Sequence, residues 1–196
     1  NVVLQGNAAS GGTADGGGIY AEQGLNETTS SITGNTADAD GGGIYAKQGL
    51  NVTTTSITGN TAGGGGGGIR LSGSTSSNRL QASLIAGNTA ASFGGGLYTT
   101  ASRSLTAENV TFSDNEADKG GAIQATNTIA PLLLNNVTIT NNRAAQEGGG
   151  IRSTGTGVKP RNTIIAENTS TGGHGNVDID VIFASRNNNL IGIPGN

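Results

Sequence analysis

The stretch NTADADGGGIYAKQGLNVTTTSITGN, residues 35–60, decides the fold, because the rest of the chain consists of looser copies of it. Each copy ends on an asparagine and carries a glycine run followed by an apolar residue. The closing asparagine recurs at steps of 25 to 28 residues, at Asn7, Asn35, Asn60, Asn88, Asn115, Asn142 and Asn168. A period of this length is typical of proteins that stack one structural unit per copy.

Three apolar positions recur in step with the asparagine. The first follows the glycines, at Ile19, Ile44, Ile69, Leu97, Ile123 and Ile151. The second lies ten residues before the next asparagine, at Leu25, Leu50, Leu105, Leu132 and Val158, with Asn78 breaking the set and Leu80 expected to replace it. The third lies three residues before the asparagine, at Leu4, Ile32, Ile57, Ile85, Phe112, Ile139 and Ile165. Between them, Thr, Val and Ile alternate with polar residues, which predicts strands and excludes helical repeats.

Each copy is predicted to hold three short strands, at GGGIY, GLNVT and TSITGN in the repeat quoted above. Strands this short bury their apolar sides when the chain coils and each strand pairs with its counterpart one turn later. We therefore predict an all-β, right-handed parallel β-helix of about seven coils of 25–28 residues. Residues 1–196 are expected to form one such domain, as a fragment of a longer surface protein.

Charge and composition argue against two classes of protein, those that bind nucleic acid and those that span a membrane. Only 12% of the residues are charged and the net charge is −3, so nothing in the sequence favours a nucleic-acid partner. The longest apolar runs are far too short to cross a bilayer, so the chain is not expected to be inserted in a membrane. Because it contains no cysteine, its stability has to come from the repetition.

The repeated asparagine and the glycine triplets have a structural interpretation. Asparagine tolerates left-handed backbone angles and bonds to neighbouring backbone groups. The seven asparagines are therefore predicted to stack as an amide ladder at one corner of the coil. The glycines are predicted to mark a bend where φ is positive or where adjacent coils crowd. The run 63–68 lacks the Lys and Ser/Thr of a P-loop and is not a nucleotide site.

Two motifs resemble a known family of repeats. GGAI at 120–123 and FSDN at 112–115 resemble the paired motifs of chlamydial polymorphic outer-membrane proteins, and other copies carry I-x-x-N instead. The ending NNLIG at 188–192 is similar to that of related bacterial surface proteins with right-handed parallel β-helices. The resemblance implies an extracellular or cell-surface rod, of the autotransporter-passenger type, that takes part in adhesion.

The residue after the glycine-strand marker forms a candidate binding row. Because side chains alternate across a strand, this residue points away from the core. The row consists of Tyr20, Tyr45, Arg70, Tyr98, Gln124 and Arg152, and it holds all three tyrosines of the chain. Stacked phenols and guanidiniums suit a sugar ring or a protein partner. The alternative is that neighbouring tyrosines stack only for stability.

A second outward row carries hydroxyls. It lies four and two residues before each asparagine, at Ser31/Thr33, Ser56/Thr58, Leu84/Ala86, Thr111/Ser113, Thr138/Thr140 and Ile164/Ala166. A flat array of this kind resembles the ice-binding surfaces of some antifreeze proteins, which makes ice binding an alternative function. Two apolar rungs interrupt the array, and hydroxyl residues are ordinary strand formers.

Signatures of catalysis are few, and we predict no catalytic residue. The one histidine, His174, lies in a glycine-rich loop, and the chain has neither a cysteine nor a G-x-S-x-G motif. Asp15 and Asp40 are expected one rung apart, as the paired carboxylates of a glycosidase would be. Their column continues, however, as Gly65, Phe93, Lys119 and Glu147, which is not an acidic face.

No cofactor is expected, although one segment offers alternate oxygen ligands for Ca²⁺. The candidate metal ligands are Asn176, Asp178 and Asp180. They lack the glycine and the distal glutamate of an EF-hand loop. An outward polar row is the competing interpretation.

These patterns favour a non-enzymatic adhesin or structural rod that binds a glycan, or a host or cell-surface protein, through an outward face. The alternative is an extracellular domain that binds or cleaves polysaccharide. The segment after the glycine strand varies in length between copies, which marks a candidate binding edge. Open coil ends expose unpaired strand edges, so end-to-end self-association is expected.

Overall fold

Four parallel sheets run along the chain, and each coil adds one strand to each sheet in the same order, I, II, III and IV. The computed structural model describes residues 2–73, 77–155, 157–172, 179–180 and 188–192. Sheet I contains β1 (Val3–Gln5), β5 (Ser31–Thr33), β9 (Ser56–Thr58), β13 (Leu84–Ala86), β17 (Thr111–Ser113), β21 (Thr138–Thr140), β25 (Ile164–Ala166) and β28 (Leu190–Ile191). Sheet II contains β2 (Ala8–Ala9), β6 (Thr36–Ala37), β10 (Thr61–Ala62), β14 (Thr89–Ala90), β18 (Glu116–Lys119), β22 (Arg143–Glu147) and β26 (Thr169–Ser170).

The other two sheets follow the glycine bend. Sheet III contains β3 (Ile19–Ala21), β7 (Ile44–Ala46), β11 (Ile69–Leu71), β15 (Leu97–Thr99), β19 (Ile123–Ala125), β23 (Ile151–Ser153) and β27 (Ile179–Asp180). Sheet IV contains β4 (Gly24–Thr28), β8 (Gly49–Thr53), β12 (Asn78–Gln81), β16 (Leu105–Glu108), β20 (Leu132–Asn135) and β24 (Val158–Arg161). The described residues contain no helix, and therefore none that could span a membrane.

The parallel β-helix predicted from the repeat is confirmed, but the number of coils and the number of strands in each coil differ from the prediction. Pairing is in register from coil to coil, so that Ile32 faces Ile57 and Ile44 faces Ile69. The described residues form six complete coils of four strands, three strands of a seventh coil and one strand of an eighth, rather than about seven coils of three strands. Sheet II is the additional one, and five of its seven described strands are only two residues long. A two-residue strand is too short to show alternation, which is why the sequence pattern did not indicate it.

The core is a stack of aliphatic side chains, one set from each coil. Ile32, Ile57 and Ile85 of sheet I are fully buried, and Phe112 continues the same column. Removing each such side chain from water contributes about 1.5–3 kcal/mol. These columns, repeated in every coil, take the place of disulfides.

Asn78 keeps the place of the leucines in sheet IV, so the expectation that Leu80 replaces it is wrong. Asn78 pairs with Leu105, whereas Leu80 pairs with Val52 and Ala107 at the next inward position. Asn78 is buried, and its Oδ1 accepts a hydrogen bond from the backbone N of Leu50 at 3.1 Å. A polar residue is tolerated there because it bonds to backbone groups of the adjacent coil.

The left-handed residue at the corner after sheet I precedes the ladder asparagine, so the asparagines are not there for their backbone angles. Gly34 and Gly59 both have φ of +63°, and Asp114 has φ of +55°. The corner between sheets IV and I also has a left-handed residue, which is Thr54 (φ +52°) in the second coil and Asn109 (φ +54°) in the fourth.

Replacing Thr54 by Asn is expected to raise the free energy of unfolding by about 1 kcal/mol, because a β-branched residue is strained at positive φ while Asn adopts it readily. Thr54 is exposed, so the change removes no packing. The reverse change at the exposed Asn109, Asn109→Thr, should lower stability by a similar amount. Urea unfolding midpoints at an unchanged slope measure both effects. A loss of stability in both variants would mean that corner strain does not determine the result.

Candidate functional site

The seven predicted ladder asparagines lie one above another at the corner after sheet I. Oδ1 of Asn88 accepts hydrogen bonds from the backbone N and the Nδ2 of Asn60, at 3.0 and 2.9 Å. Nδ2 of Asn88 donates to Asn115 Oδ1 at 3.0 Å and to the backbone O of Ile57 at 2.9 Å. The same side-chain bonds connect Asn7 through to Asn168. The five interior asparagines are fully buried, so a ligand cannot reach them.

The predicted tyrosine and arginine row lies in sheet III, in register along seven strands. Tyr20, Tyr45, Arg70, Tyr98, Gln124 and Arg152 are successive partners, and Asp180 follows. The row lies opposite the core, but only Tyr20, at 44%, is largely exposed. Arg70 is 8% exposed and Gln124 is fully buried, whereas the alternation of the strand had led us to expect an exposed row.

The row is covered by the residues that precede the glycine bends. Phe93 contacts Tyr98 and Glu147 contacts Arg152, in each case five residues later, whereas Asp40 contacts Arg70 of the next coil. Asp40 Oδ2 accepts a hydrogen bond from Arg70 Nε at 3.0 Å, and the Phe93 and Tyr98 rings lie 5.3 Å apart. The Arg70 guanidinium also stacks 4.1 Å from the Tyr98 ring centre. These contacts fill the place that a ligand would need over the middle of the row.

The first two coils carry the exposed end of the row. The Tyr20 and Tyr45 rings stack at 5.3 Å with planes 7° apart, so each ring turns one face to the other. Lys47 lies 5.1 Å from the centre of the Tyr20 ring and forms an ion pair with Glu22 at 3.2 Å. Hydrogen bonding to Tyr20, and then to Glu22, raises the pKa of Lys47 above its usual value. The arrangement matches the stability interpretation of the tyrosines, and their role in ligand binding stays a prediction.

The hydroxyl row occupies the outer face of sheet I. Its rungs pair directly, as in Ser31 with Ser56 and Thr33 with Thr58. The Thr33 and Thr58 hydroxyls lie 3.1 Å apart and hydrogen-bond to each other. Leu84 and Ile164, at 40% and 43% exposed, stand in the same row as apolar rungs. Ice binding by this face stays a prediction.

A groove that the sequence analysis did not identify lies over the outer face of sheet IV. It has a volume of about 580 Å³ and spans the first four coils. Its polar lining includes Asn26, Asn51, Arg79, Thr106 and Glu108. Asn51 Nδ2 donates to Asn26 Oδ1 at 3.1 Å, and Arg79 forms an ion pair with Glu108 at 2.6 Å. Its one sequence signal was the variable segment between sheets III and IV, which flanks it.

A second hollow of about 460 Å³ continues along the same face in the fourth to sixth coils. Its lining includes Pro131, Leu133, Asn135, Lys159 and Arg161. Leu133 pairs with Lys159 and Asn135 pairs with Arg161, so these four side chains point outward from two adjacent strands. Sheet IV therefore carries outward polar side chains in each of its six described strands, with Leu133 as an apolar member of the row.

Comparison with protein families supplies the hand of the coil. The model of the right handed beta helix region matches residues 17–192. The chain belongs to this family. A comparison with curated proteins found no match, and neither did one with solved structures. The β-helix part of the resemblance seen in the sequence is thus confirmed, whereas the specific likeness to chlamydial repeats has no support from these comparisons.

The right-handed β-helix family includes enzymes and non-enzymatic proteins, so the acidic groups bear on function. Both carboxylate oxygens of Asp40 are engaged, Oδ1 by the backbone N of Gly65 at 2.7 Å and Oδ2 by Arg70. Asp15 Oδ1 accepts a hydrogen bond from the backbone N of Asp40 at 2.9 Å. The two aspartates thus support the bend, and their geometry is not that of a pair of free carboxylates facing a substrate.

One further acidic side chain, that of Asp38, is bound by backbone groups of the first coil. Hydrogen bonds from the backbone N of Gly12 and of Gly11 hold the pKa of Asp38 below its usual value. His174, Asn176 and Asp178 lie outside the described residues, and Asp180 is known only as the backbone partner of Arg152. No cluster of three or more His, Cys, Asp or Glu side chains occurs in the described part of the chain. The Ca²⁺ site stays a prediction.

Proposed function

We propose that this β-helix is a non-catalytic module of an extracellular or cell-surface protein that binds a polysaccharide along the outer face of sheet IV. The groove over this sheet carries the proposal, because each of the first four coils places an outward polar side chain in it, in register, and because it is solvent-accessible. The predicted row in sheet III is less suited, since Arg70 and Gln124 are covered. Binding of this kind makes the molecule an adhesin.

The chemistry of the groove favours a sugar chain over a protein partner. Amide, hydroxyl, guanidinium and carboxylate groups offer both donors and acceptors to sugar hydroxyls. Protein interfaces depend instead on large anchor side chains, whereas the outward side chains of this groove are the polar Asn26, Asn51, Arg79, Thr106 and Glu108. The outward polar groups are spaced by one coil, ~4.8 Å, which is on the order of the length of one sugar ring. A linear polysaccharide lying along the coil axis therefore meets one rung of side chains per sugar.

Replacing Arg79 by Ala is expected to weaken polysaccharide binding about tenfold, the effect of one lost charge-assisted contact. Arg79 forms an exposed ion pair with Glu108, so its loss costs little stability. Isothermal titration against a panel of soluble neutral and acidic polysaccharides, chosen from a glycan array, measures the effect. Arg143→Ala is the matched control, because Arg143 is as exposed as Arg79 and forms an ion pair with Glu116 on sheet II.

Three outcomes separate the candidate functions. Weaker binding in Arg79→Ala but not in Arg143→Ala supports the proposal. No binding to any polymer of the panel by the wild-type protein would favour a structural rod. Release of reducing ends or unsaturated products from any of these polymers would show an enzyme, which is the second function that the family match allows.

A further inference from the structure

We infer that the polysaccharide is anionic and that its negative groups are bound by Lys159 and Arg161, at the end of sheet IV away from β4. This inference rests on the proposed function and specifies the ligand of the same face. The two cations lie two residues apart on β24, about 6.6 Å along the strand, with both side chains outward. They flank the hollow of about 460 Å³ described above.

Within the part of the chain that the structure describes, no acidic side chain neutralises the charges of this hollow. Neither Lys159 nor Arg161 has an ion-pair partner among the described residues, and no Asp or Glu lines the hollow there. Glu108, an acidic residue that lines the groove over the first four coils, is held by Arg79. The chain as a whole has a net charge of −3, so a local positive site is set against a negative background. That contrast favours a ligand with discrete negative groups over general attraction of polyanions.

The floor of the hollow supplies the rest of the site. Leu133 and Pro131 present apolar surface beside the cations, and Asn135 adds an amide next to Arg161. A sugar ring has an apolar C–H face and polar edges. Its C–H face can rest on Leu133 while its carboxylate or sulfate reaches Lys159 and Arg161, and the guanidinium can bind either group bidentately. The neutral Asn26 and Asn51 rungs at the other end of sheet IV then contact hydroxyls.

The test compares a polyuronate with the same polymer after methyl esterification, which removes the charge and keeps the backbone. The wild-type protein should bind the polyuronate about tenfold more tightly at low salt, and the preference should shrink as salt screens the contact. The double variant Lys159→Gln/Arg161→Gln should bind both forms within about twofold of each other. The double variant Lys47→Gln/Arg143→Gln, with exposed cations on other faces, should keep the preference. The thermal unfolding midpoint of each variant, compared with that of the wild-type protein, shows whether the variant is folded. If the double variant is not folded, the single variant Arg161→Gln replaces it.

The outcomes distinguish this inference from the proposed function. If both polymer forms bind equally and Arg79→Ala weakens both, the polysaccharide site stands and charge selection is overturned. If no polysaccharide binds, both fail. Equal affinity for duplex DNA would overturn the inference by showing an unselective polyanion surface. A sulfated galactan is the last ligand to be tested. Binding of either anionic polymer supports the inference, and the ratio of the two dissociation constants distinguishes carboxylate from sulfate recognition.

Discussion

Replacing Asn88 by Ala is expected to lower the free energy of unfolding by about 3–5 kcal/mol, because it removes four side-chain hydrogen bonds from a fully buried corner. The backbone N of Asn60 loses its side-chain acceptor, and the backbone O of Ile57 loses a donor. A buried polar group left without a partner costs about 1–3 kcal/mol, and water cannot enter this corner to replace the bond. Urea unfolding followed by circular dichroism measures the change.

Asn7→Ala is the matched control at the first coil. Asn7 is exposed, and its Nδ2 donates to Asn35 Oδ1 at 2.9 Å, so solvent can satisfy the groups that the change leaves unpaired. Its expected cost is about 1 kcal/mol or less. Equal losses in Asn88→Ala and Asn7→Ala would contradict the view that burial makes the ladder strong. Asn88→Ser, which keeps a small polar group, should fall between the two if Asn88→Ala does not fold.

The architecture could be predicted because, in a solenoid, residues that contact each other in adjacent coils recur in the sequence at a nearly fixed interval. Ile32, Ile57 and Ile85 share a position in the repeat and therefore meet in the core. Sheet II escaped prediction since a strand such as Thr36–Ala37 is too short to show a period. Asn78 was misplaced because polarity alone suggested a break, whereas its hydrogen bond to the Leu50 backbone lets it stay in register.

The candidate site was predictable only in part, because alternation gives the side of a strand and not its exposure. Arg70 does point away from the core, but the glycine bend brings Asp40 over it, a contact between residues 30 apart in sequence. The groove over sheet IV was missed for another reason. Asn51, Arg79 and Thr106 occupy equivalent rungs with different side chains, so no repeated motif marks them. In a solenoid, the side chains that bind a ligand are expected at positions where the copies differ. A repeat pattern does not predict such positions, because it identifies only the residues that the copies share.

Replacing Gly67 by Ala is expected to cost about 3 kcal/mol or more in the free energy of unfolding, because the new methyl group would meet backbone from two directions. A Cβ at this position would lie 2.4 Å from the backbone O of Thr89 and 2.6 Å from that of Gly95. Both atoms belong to the adjacent coil, whose backbone also hydrogen-bonds to this bend, as from Gly67 N to Gly94 O at 3.2 Å. Neither clash can be relieved by a change of rotamer, so whole coils would have to move apart.

Two further glycines test whether crowding, and not the mere loss of a glycine, causes the effect. Gly68→Ala should cost less than Gly67→Ala, since the equivalent position in the fifth coil already holds Ala122 without breaking the pairing of β19. Gly24→Ala should be neutral or stabilise by about 0.5 kcal/mol, because no atom lies within 4 Å of its Cβ and alanine restricts the unfolded chain. Urea midpoints should therefore rank Gly67→Ala lowest, then Gly68→Ala, then Gly24→Ala. If Gly67→Ala matched Gly24→Ala, the bend would depend only on the first glycine of the triplet, Gly66, whose φ of +72° alanine rarely adopts.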